Sequence, residues 1–550
     1  MSASAGRRAI SCPRPRASRP NDLAPSDGAL SRPEHSDDPK ATCVMVDASQ
    51  AVLTPALAVA GGASPAKSLS RRTIEGFAWM FVGAGSQALL RIAVLAVLAR
   101  LLTPTDFGVV SAAMTVVALA DIFGTIGIAP AIVQMPQLDR EHVRTGFTVS
   151  ALASFAITAI LFVAAPVVAG LFQIPAVEPA LRVLCFIFAI RGFAIVAEAK
   201  LQREMRFRSI SLIGMASYAL GYGAVAIGLA LAGFGIWSLV WGQIAQSVLA
   251  SLAFIACSRH AMRPLLHWGA LRRLLRFGAG ITLSSLGNYV ALNADQFIVG
   301  RWLGAATLGI YNRAYTILMQ PVNLFGAVGD KVLFPALATI QSDRDRLARA
   351  YCRSVGLIAL ATIPLSGFLT LFAEECIQLL LGKQWLQVTL PFQILVASLF
   401  FRTAYKISST LLRARGMTFW LASWQWLYAA SVCAGAWLGL PYGLSGVAAG
   451  IGAAIVITFV LGLVLSKRAC ALSLRQIAAI MGRHLLVAAL INLPLLFLKP
   501  VLLSLGWHPI LLLAAGGAVA GAIALVIFFA VPKLLGDEGA WLRSALGRKP

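Results

Sequence analysis

The residues of this chain whose chemistry stands out are charged side chains set inside long apolar runs. An Arg, Lys or Asp at the centre of a membrane-spanning helix costs about 2.5–3.5 kcal/mol on insertion scales, so each one kept there has a partner or a task. Arg402 and Lys406 are the sharpest case. They stand one helical turn apart in the run 391–412, where like charges repel, and that run contains no acid. Something anionic must face them, either on another helix or in a ligand. A diphosphate suits them, because Arg forks onto its oxygens in bidentate fashion, with Tyr405 beside them as a neutral donor. The alternative is that Lys406 snorkels to the nearer membrane face.

Three other runs carry polar residues at helical spacing. Gly83, Gln87 and Arg91 recur every four residues and share one helix face. Arg91 lies about 14 Å from Arg100 at the end of its run, at 1.5 Å per residue. The face is either the wall of a polar cavity or the site of a structural pair between Arg91 and Asp121. Arg191 has Glu198 two turns further on, which reads as a cavity cation or as a closed ionic network. Ser284, Asn288 and Asp295 form a stripe. It reads as an ion-coupling site or, more simply, as a partner for Arg301 or Arg313.

Signatures of soluble catalysis are missing. There is no G-x-x-x-x-G-K-[ST] loop, no H-E-x-x-H and no C-x-x-C among the eight cysteines. The expectation is a protein that is not an enzyme and that uses no cofactor and no metal.

The elements that hold these residues are apolar. The 550 residues are 59% hydrophobic and 12% charged, where a soluble domain carries about 25% charged residues. Apolar runs of spanning length recur at about 74–98, 107–130, 146–170, 178–199, 209–231, 236–257, 277–300, 308–331, 354–373, 391–412, 419–440, 444–466, 482–503 and 509–531. The fold class is therefore an all-α polytopic membrane protein of about fourteen transmembrane helices. Residues 1–70, rich in Pro, Ser, Arg and Asp, read as a disordered cytoplasmic tail. The net charge of +24 sits in short gaps between runs, so it sets topology and does not form a nucleic-acid face. Lys200–Arg208, Arg259–Arg276, Arg344–Arg353 and Lys467–Arg468 alternate with gaps holding little beyond Arg100, Arg301, Arg313, Lys383 and Lys499. That alternation predicts cytoplasmic N- and C-termini. Gly446/Gly450 and Gly517/Gly521 are small-residue pairs that let helices approach closely, most simply within the chain.

An internal repeat is visible. Arg100-Leu-Leu-Thr-Pro-Thr-Asp-Phe-Gly108 returns as Arg301-Trp-Leu-Gly-Ala-Ala-Thr-Leu-Gly309, and Pro130-Ala-Ile is echoed by Pro335-Ala-Leu. Six runs separate the copies, which predicts two six-helix lobes in parallel repeat, 71–262 and 263–470. Two extra helices and a cytoplasmic tail follow at 471–550. Parallel repeats of this kind mark transporters that bind substrate between their halves.

The segments LARLLTPTDFGVVSAAMTVVALADIFGTIGIAPAIVQ and NADQFIVGRWLGAATLGIYNRAYTILMQPVNLFG, followed by VLFPALATIQ, resemble the polysaccharide transporters. These are Wzx-like lipid-linked oligosaccharide flippases of the multidrug/oligosaccharidyl-lipid/polysaccharide superfamily. The resemblance runs from about 70 to 470. It implies two lobes around a central cavity. It also implies translocation of an undecaprenyl-diphosphate-linked sugar unit across the bacterial inner membrane for lipopolysaccharide or exopolysaccharide assembly. The implied partners are that lipid-linked oligosaccharide, membrane lipids and other polysaccharide-assembly proteins, with no nucleic acid. A membrane-bound polymerase or ligase would need a sizeable outer loop for its acid and base, and a drug or cation exporter would favour acids in its cavity.

Overall fold

The computed structural model describes residues 85–125, 128–134, 139–258, 265–328, 333–531, 534–536 and 538–539. The tail at 1–70, Gly83, and the side chains of Ser284 and Asn288 lie outside the described residues. Among the described residues every regular element is helical. In chain order they are α1 (85–101), α2 (Pro104–Thr125), α3 (Ile128–Gln134), α4 (Arg140–Phe172), α5 (Val177–Leu184), α6 (Phe186–Gly192), α7 (Ile195–Arg203), α8 (Phe207–Ser217), α9 (Ala226–Leu231) and α10 (Ile236–Cys257). There follow α11 (Trp268–Val328), α12 (Phe334–Thr339), α13 (Arg344–Leu371), α14 (Ala373–Leu380), α15 (Thr389–Ala397), α16 (Leu399–Ala414), α17 (Thr418–Gly439), α18 (Gly443–Ala469), α19 (Leu474–Ser504) and α20 (Pro509–Ala530).

Eight of these helices, or ten when two bent pairs are each taken as one span, are long and apolar enough among the described residues to cross a membrane. The fourteen runs do not map one to one onto helices. Val177–Gly192 and Ile195–Arg203 meet at 48°, and Lys383–Ala397 and Leu399–Ala414 at 42°. Residues 419–469, taken as one span in that count, fold back on themselves at Leu440–Tyr442 and at Gly443, whose φ is +67°. Gly435 lies against the backbone of Gly450, and Gly439 against that of Gly446. The Gly446/Gly450 pair therefore packs within the chain. Gly517 and Gly521 on α20 have no neighbour that a side chain would meet, so that pair mediates no close approach among the described residues.

The outward faces are apolar: Phe419, Val163, Phe497, Leu438 and Phe529 are all more than 70% exposed. In water such faces would aggregate; in lipid they are solvated, because only hydrogen-bonded backbone can cross hydrocarbon and helices satisfy that internally. The protein is a multi-pass membrane protein. Several buried threonines use their own helix: Thr158, Thr362 and Thr403 each donate to a carbonyl one turn back. One apolar core joins residues of the N-terminal half, such as Leu98, Phe107 and Phe172, to residues of the C-terminal half, such as Val299, Tyr311 and Trp385. Two smaller clusters lie within the N-terminal half, and another joins the C-terminal half to α19 through Ile477, Ile480 and Ala488. A buried ion pair, Lys499 Nζ to Glu375 Oε1 at 2.8 Å, ties α19 to α14.

The two repeat copies build the joint between the halves. In the first, Thr103 caps α2 reciprocally with Asp106: Thr103 N and Oγ1 donate to Asp106 Oδ2 (2.9 and 2.7 Å), and Asp106 N donates back to Thr103 Oγ1. In the second, the break within α11 is made by Gly304, at φ +82°, a region other residues avoid. Both breaks turn the chain so that the copies meet. A Cβ on Gly108 would collide with the carbonyl of Ala305, and one on Gly309 with the carbonyl of Pro104. Residues 108 and 309 are repeat mates, and so are 104 and 305, so the two contacts are the same contact made twice about a pseudo-two-fold axis. The second echo folds alike as well: Pro130 and Pro335 each lie in a short helix, α3 and α12.

Candidate functional site

Gln87 and Arg91, on successive turns of α1, both face a cavity of about 640 Å³. Its far wall comes from α2, α6, α7, α8 and α10, and carries Asp121, Arg191, Glu198, Gln243, Gln246 and Ser247. Arg191 Nη1 lies 3.2 Å from Asp121 Oδ1. Asp121 thus pairs with Arg191. The Arg91 guanidinium sits over the ring of Tyr218, 5.6 Å from the centroid.

Tyr218 reaches that position through a local departure from the α-helix. Residues Tyr218–Val225 form a π-helical stretch between α8 and α9, the kind of bulge that re-aims side chains at functional sites. Glycines permit it, since Gly221 lies against the backbone of Gln246 and Gly242 against Ala226. The rings of Tyr218 and Tyr222 then stack at 5.3 Å.

A second cavity, of about 370 Å³, lies between the halves and shares Arg91 with the first, with Tyr218 in its own wall. From α11 it receives Arg313, Thr316 and Gln320, one stripe at helical spacing. No acid is among its lining residues. Arg313 Nη2 donates to Asn312 Oδ1 (2.6 Å), its guanidinium lies 4.4 Å from the Phe107 centroid, and its Nε is enclosed without a hydrogen-bond partner. A half-buried guanidinium with an unused donor, beside a second arginine and no carboxylate, has the donors and the charge that an anion would take up. The sequence reading placed Arg313 among the loop cations. The signal that it lines a helix face was the polar recurrence Asn312/Arg313, Thr316, Gln320.

Arg402, Tyr405 and Lys406 on α16 lie elsewhere and do not join these cavities. Arg402 is 3% exposed. It donates Nη1 to the Tyr428 hydroxyl (2.5 Å) and Nη2 to the Tyr315 hydroxyl. Asp295, 2% exposed, lies on α11, as does Tyr315, and accepts from the Tyr311 hydroxyl (2.5 Å) and from Gln296 N (2.9 Å). The donors of Arg402 thus meet tyrosine hydroxyls of two other helices. Tyr405 packs against Trp424 and Tyr428, and Lys406 Nζ lies 3.5 Å from the Val322 carbonyl. From Asp295 the polar chain continues through Gln296 and Asn312 to Arg313: Asn312 Nδ2 donates to Gln296 Oε1 at 2.9 Å. Among the described residues no three His, Cys, Asp or Glu side chains gather as metal ligands would.

The chain is similar to three proteins of cell-surface polysaccharide assembly. It is 25% identical to the lipopolysaccharide biosynthesis protein WzxC of Escherichia coli (strain K12), over 63% of this chain and 71% of that protein. It is 30% identical to the succinoglycan biosynthesis transport protein ExoT of Rhizobium meliloti (strain 1021), over 54% of this chain and 60% of ExoT, so the match spans less than two thirds of ExoT. It is 25% identical to the teichuronic acid biosynthesis protein TuaB of Bacillus subtilis (strain 168), over 64% and 72%. In three dimensions it resembles the lipid II flippase MurJ in its inward closed conformation, with TM-score 0.67, 15% identity, and cover of 82% of this chain and 98% of that one. An inward-facing multidrug resistance MATE family transporter of the MOP superfamily gives TM-score 0.57 at 18% identity, over 70% and 94%. The polysaccharide biosynthesis protein family model matches residues 97–391, more than half the chain and both copies of the Arg-to-Gly repeat, and the protein belongs to that family.

Proposed function

We propose that this protein is a flippase, and not an enzyme. It carries an undecaprenyl-diphosphate-linked oligosaccharide across the bacterial inner membrane for lipopolysaccharide or exopolysaccharide biosynthesis. The observation that carries the reading is the acid-free cavity between the halves, where Arg91 and Arg313 stand together. Its chemistry suits a diphosphate, and a cation exporter would need the opposite charge there. WzxC, ExoT and TuaB, each named for polysaccharide biosynthesis, support the class of cargo.

In this mechanism the two halves, 71–262 and 263–470, alternate access about the joint at Gly108 and Gly309. The diphosphate is held by Arg91 and Arg313, and the neutral sugars occupy the wetter cavity lined by Gln87, Gln243 and Gln246. The Arg191–Asp121 pair forms part of that wall. The buried Arg402–Asp295 cluster stiffens the C-terminal half behind Arg313, with Lys406 beside it. The polyprenyl chain stays in lipid. By the positive-inside rule the Gly108/Gly309 end faces outward and the end with Arg206, Arg344 and Arg468 faces the cytoplasm.

The test is transport at matched abundance. Arg313→Gln and Arg91→Gln should each reduce polysaccharide output at least tenfold and cause lipid-linked oligosaccharide to accumulate, with the protein still present in the membrane. Normal output from the double variant at normal abundance would refute the anion site.

A further inference from the structure

The outward end of the joint is a latch. Trp385, fully buried in the turn Lys383–Val388 of the C-terminal half, donates Nε1 to the Ala99 carbonyl of α1 in the N-terminal half (2.7 Å). Gln384 Nε2 donates to the same oxygen (2.5 Å) and to the Leu102 carbonyl (3.2 Å), and Arg100 Nη2 donates to the Leu379 carbonyl (2.9 Å). Ala99 and Leu102 lie at the C-terminal end of α1, where carbonyls have no partner within the helix. The C-terminal half supplies those partners, and separation of the halves removes them. Phe107 packs edge-on against Trp385, ring centroids 5.4 Å apart at 68°. Its face carries the Arg313 guanidinium at 4.4 Å.

One arginine therefore touches both the cavity and the latch. We propose that Arg313 holds the outer latch shut by resting on Phe107, and that an anionic head group in the cavity opens the latch by drawing Arg313 away. The proposal rests on the anionic-substrate reading above and adds to it how the site signals to the gate. The direction follows from the strengths of the contacts. A cation over a neutral ring is held less strongly than a guanidinium forked onto a phosphate, whose hydrogen bonds are charge-assisted. Arg313 can make that exchange through its Nε, which has no protein hydrogen-bond partner, while its Nη2 is held only by the neutral amide of Asn312. Without the cation on its face, Phe107 no longer braces the Trp385 indole. The remaining bonds of Trp385 and Gln384 are neutral and individually modest, and the Arg100 bond to the Leu379 carbonyl is the one charged contact left in the latch. An uncharged cargo would leave Arg313 on Phe107 and the outer end closed, so opening is tied to loading.

The experiment uses the full chain with its eight native cysteines changed to alanine and one reporter, Ala99→Cys. This position is fully buried in the closed latch, and the change leaves its carbonyl in place. The purified protein is labelled with a bulky polyethylene-glycol maleimide, with farnesyl diphosphate as the probe, farnesol as the uncharged control, and the shift in melting temperature as the measure of binding. Without ligand, Arg313→Gln should speed labelling on the order of tenfold, the effect expected on losing a desolvated cation–π contact. Phe107→Leu should do the same with Arg313 intact, and it serves as the second variant if the first is poorly recovered. Farnesyl diphosphate should speed labelling of the parent by a similar factor, farnesol should not, and neither should add anything in Arg313→Gln. Unchanged basal labelling in both variants overturns the latch. Binding of farnesyl diphosphate to the parent with no change in labelling overturns the trigger. If the variants speed labelling but the parent does not bind farnesyl diphosphate, the anionic-substrate reading fails and takes the trigger with it, while the latch stands.

Discussion

Arg402 shows how the role of a membrane arginine depends on what lies across from it. Its run of sequence contains no acid, which points to a ligand, yet α11, which also carries the buried Asp295, brings the hydroxyl of Tyr315, and α17 brings that of Tyr428. A buried charge whose partner is removed typically costs 3–5 kcal/mol. Arg402→Ala should therefore lower membrane abundance by an order of magnitude, and the double variant Arg402→Met/Asp295→Asn should recover much of it, as quantitative immunoblotting of membranes can measure. Abundant Arg402→Ala protein that had lost transport would instead return Arg402 to the substrate site. Asp121 and Arg191 are both more than 40% exposed, so their pair is screened by cavity water and contributes little to stability. Asp121→Asn should leave abundance unchanged. Its effect belongs in transport, where an unpaired Arg191 adds a cation to the cavity wall.

The elements that matter most are the two breaks at the repeat. The first is capped by Thr103 and Asp106, and the second depends on Gly304 at φ +82°. Their consequence is the same: Gly108 and Gly309 lie on the backbone of the opposite copy. A valine at either position has to push the halves apart, and overpacking of this kind costs about 1–3 kcal/mol or more. Gly309→Val should lower abundance or leave the outer end open, whereas Gly517→Val on α20, where a side chain meets nothing, should behave as the parent. Equal behaviour of the two variants in thermal stability assays would show that the joint is looser than described. The π-helical stretch at Tyr218–Val225 makes a complementary point, since it sets Tyr218 under Arg91 with Tyr222 stacked on it, while its sequence reads as ordinary apolar helix.

At the scale of the whole molecule, orientation follows from the basic gaps. Arg344 Nη2 donates to the Arg468 carbonyl, Arg415 Nη1 to that of Gln341, and Arg206 Nη1 to that of Cys257. These cations thus also tie loops and helix ends together. We expect this end, and both termini, to face the cytoplasm. A cysteine introduced in the 259–276 segment should stay unmodified by an impermeant reagent applied to intact cells, and labelling there would reverse the orientation. Residues 1–65, whose composition cannot bury a core, should be dispensable. Their deletion should leave membrane insertion and polysaccharide output intact, as measured by immunoblotting and by cell-surface polysaccharide.

The sequence by itself determined what is written in one dimension. Apolar runs of spanning length, the spacing of the basic gaps and the 201-residue return of the Arg-to-Gly segment each depend on residue order alone, and they were enough for the fold class and the family. The cavity face of Gln87 and Arg91 was also legible, because a four-residue spacing means one face on any helix. Which charges pair was not legible, because helices distant in sequence present their side chains to one another only after packing. Asp121 met Arg191, Asp295 met the Tyr311 hydroxyl, and Arg402 met the hydroxyls of Tyr315 and Tyr428. Arg313 was hidden for the same reason. Near the end of a run it reads as a loop cation, and only the turn at Gly304 and the approach of Phe107 place it between the acid-free cavity and the ring that packs on Trp385.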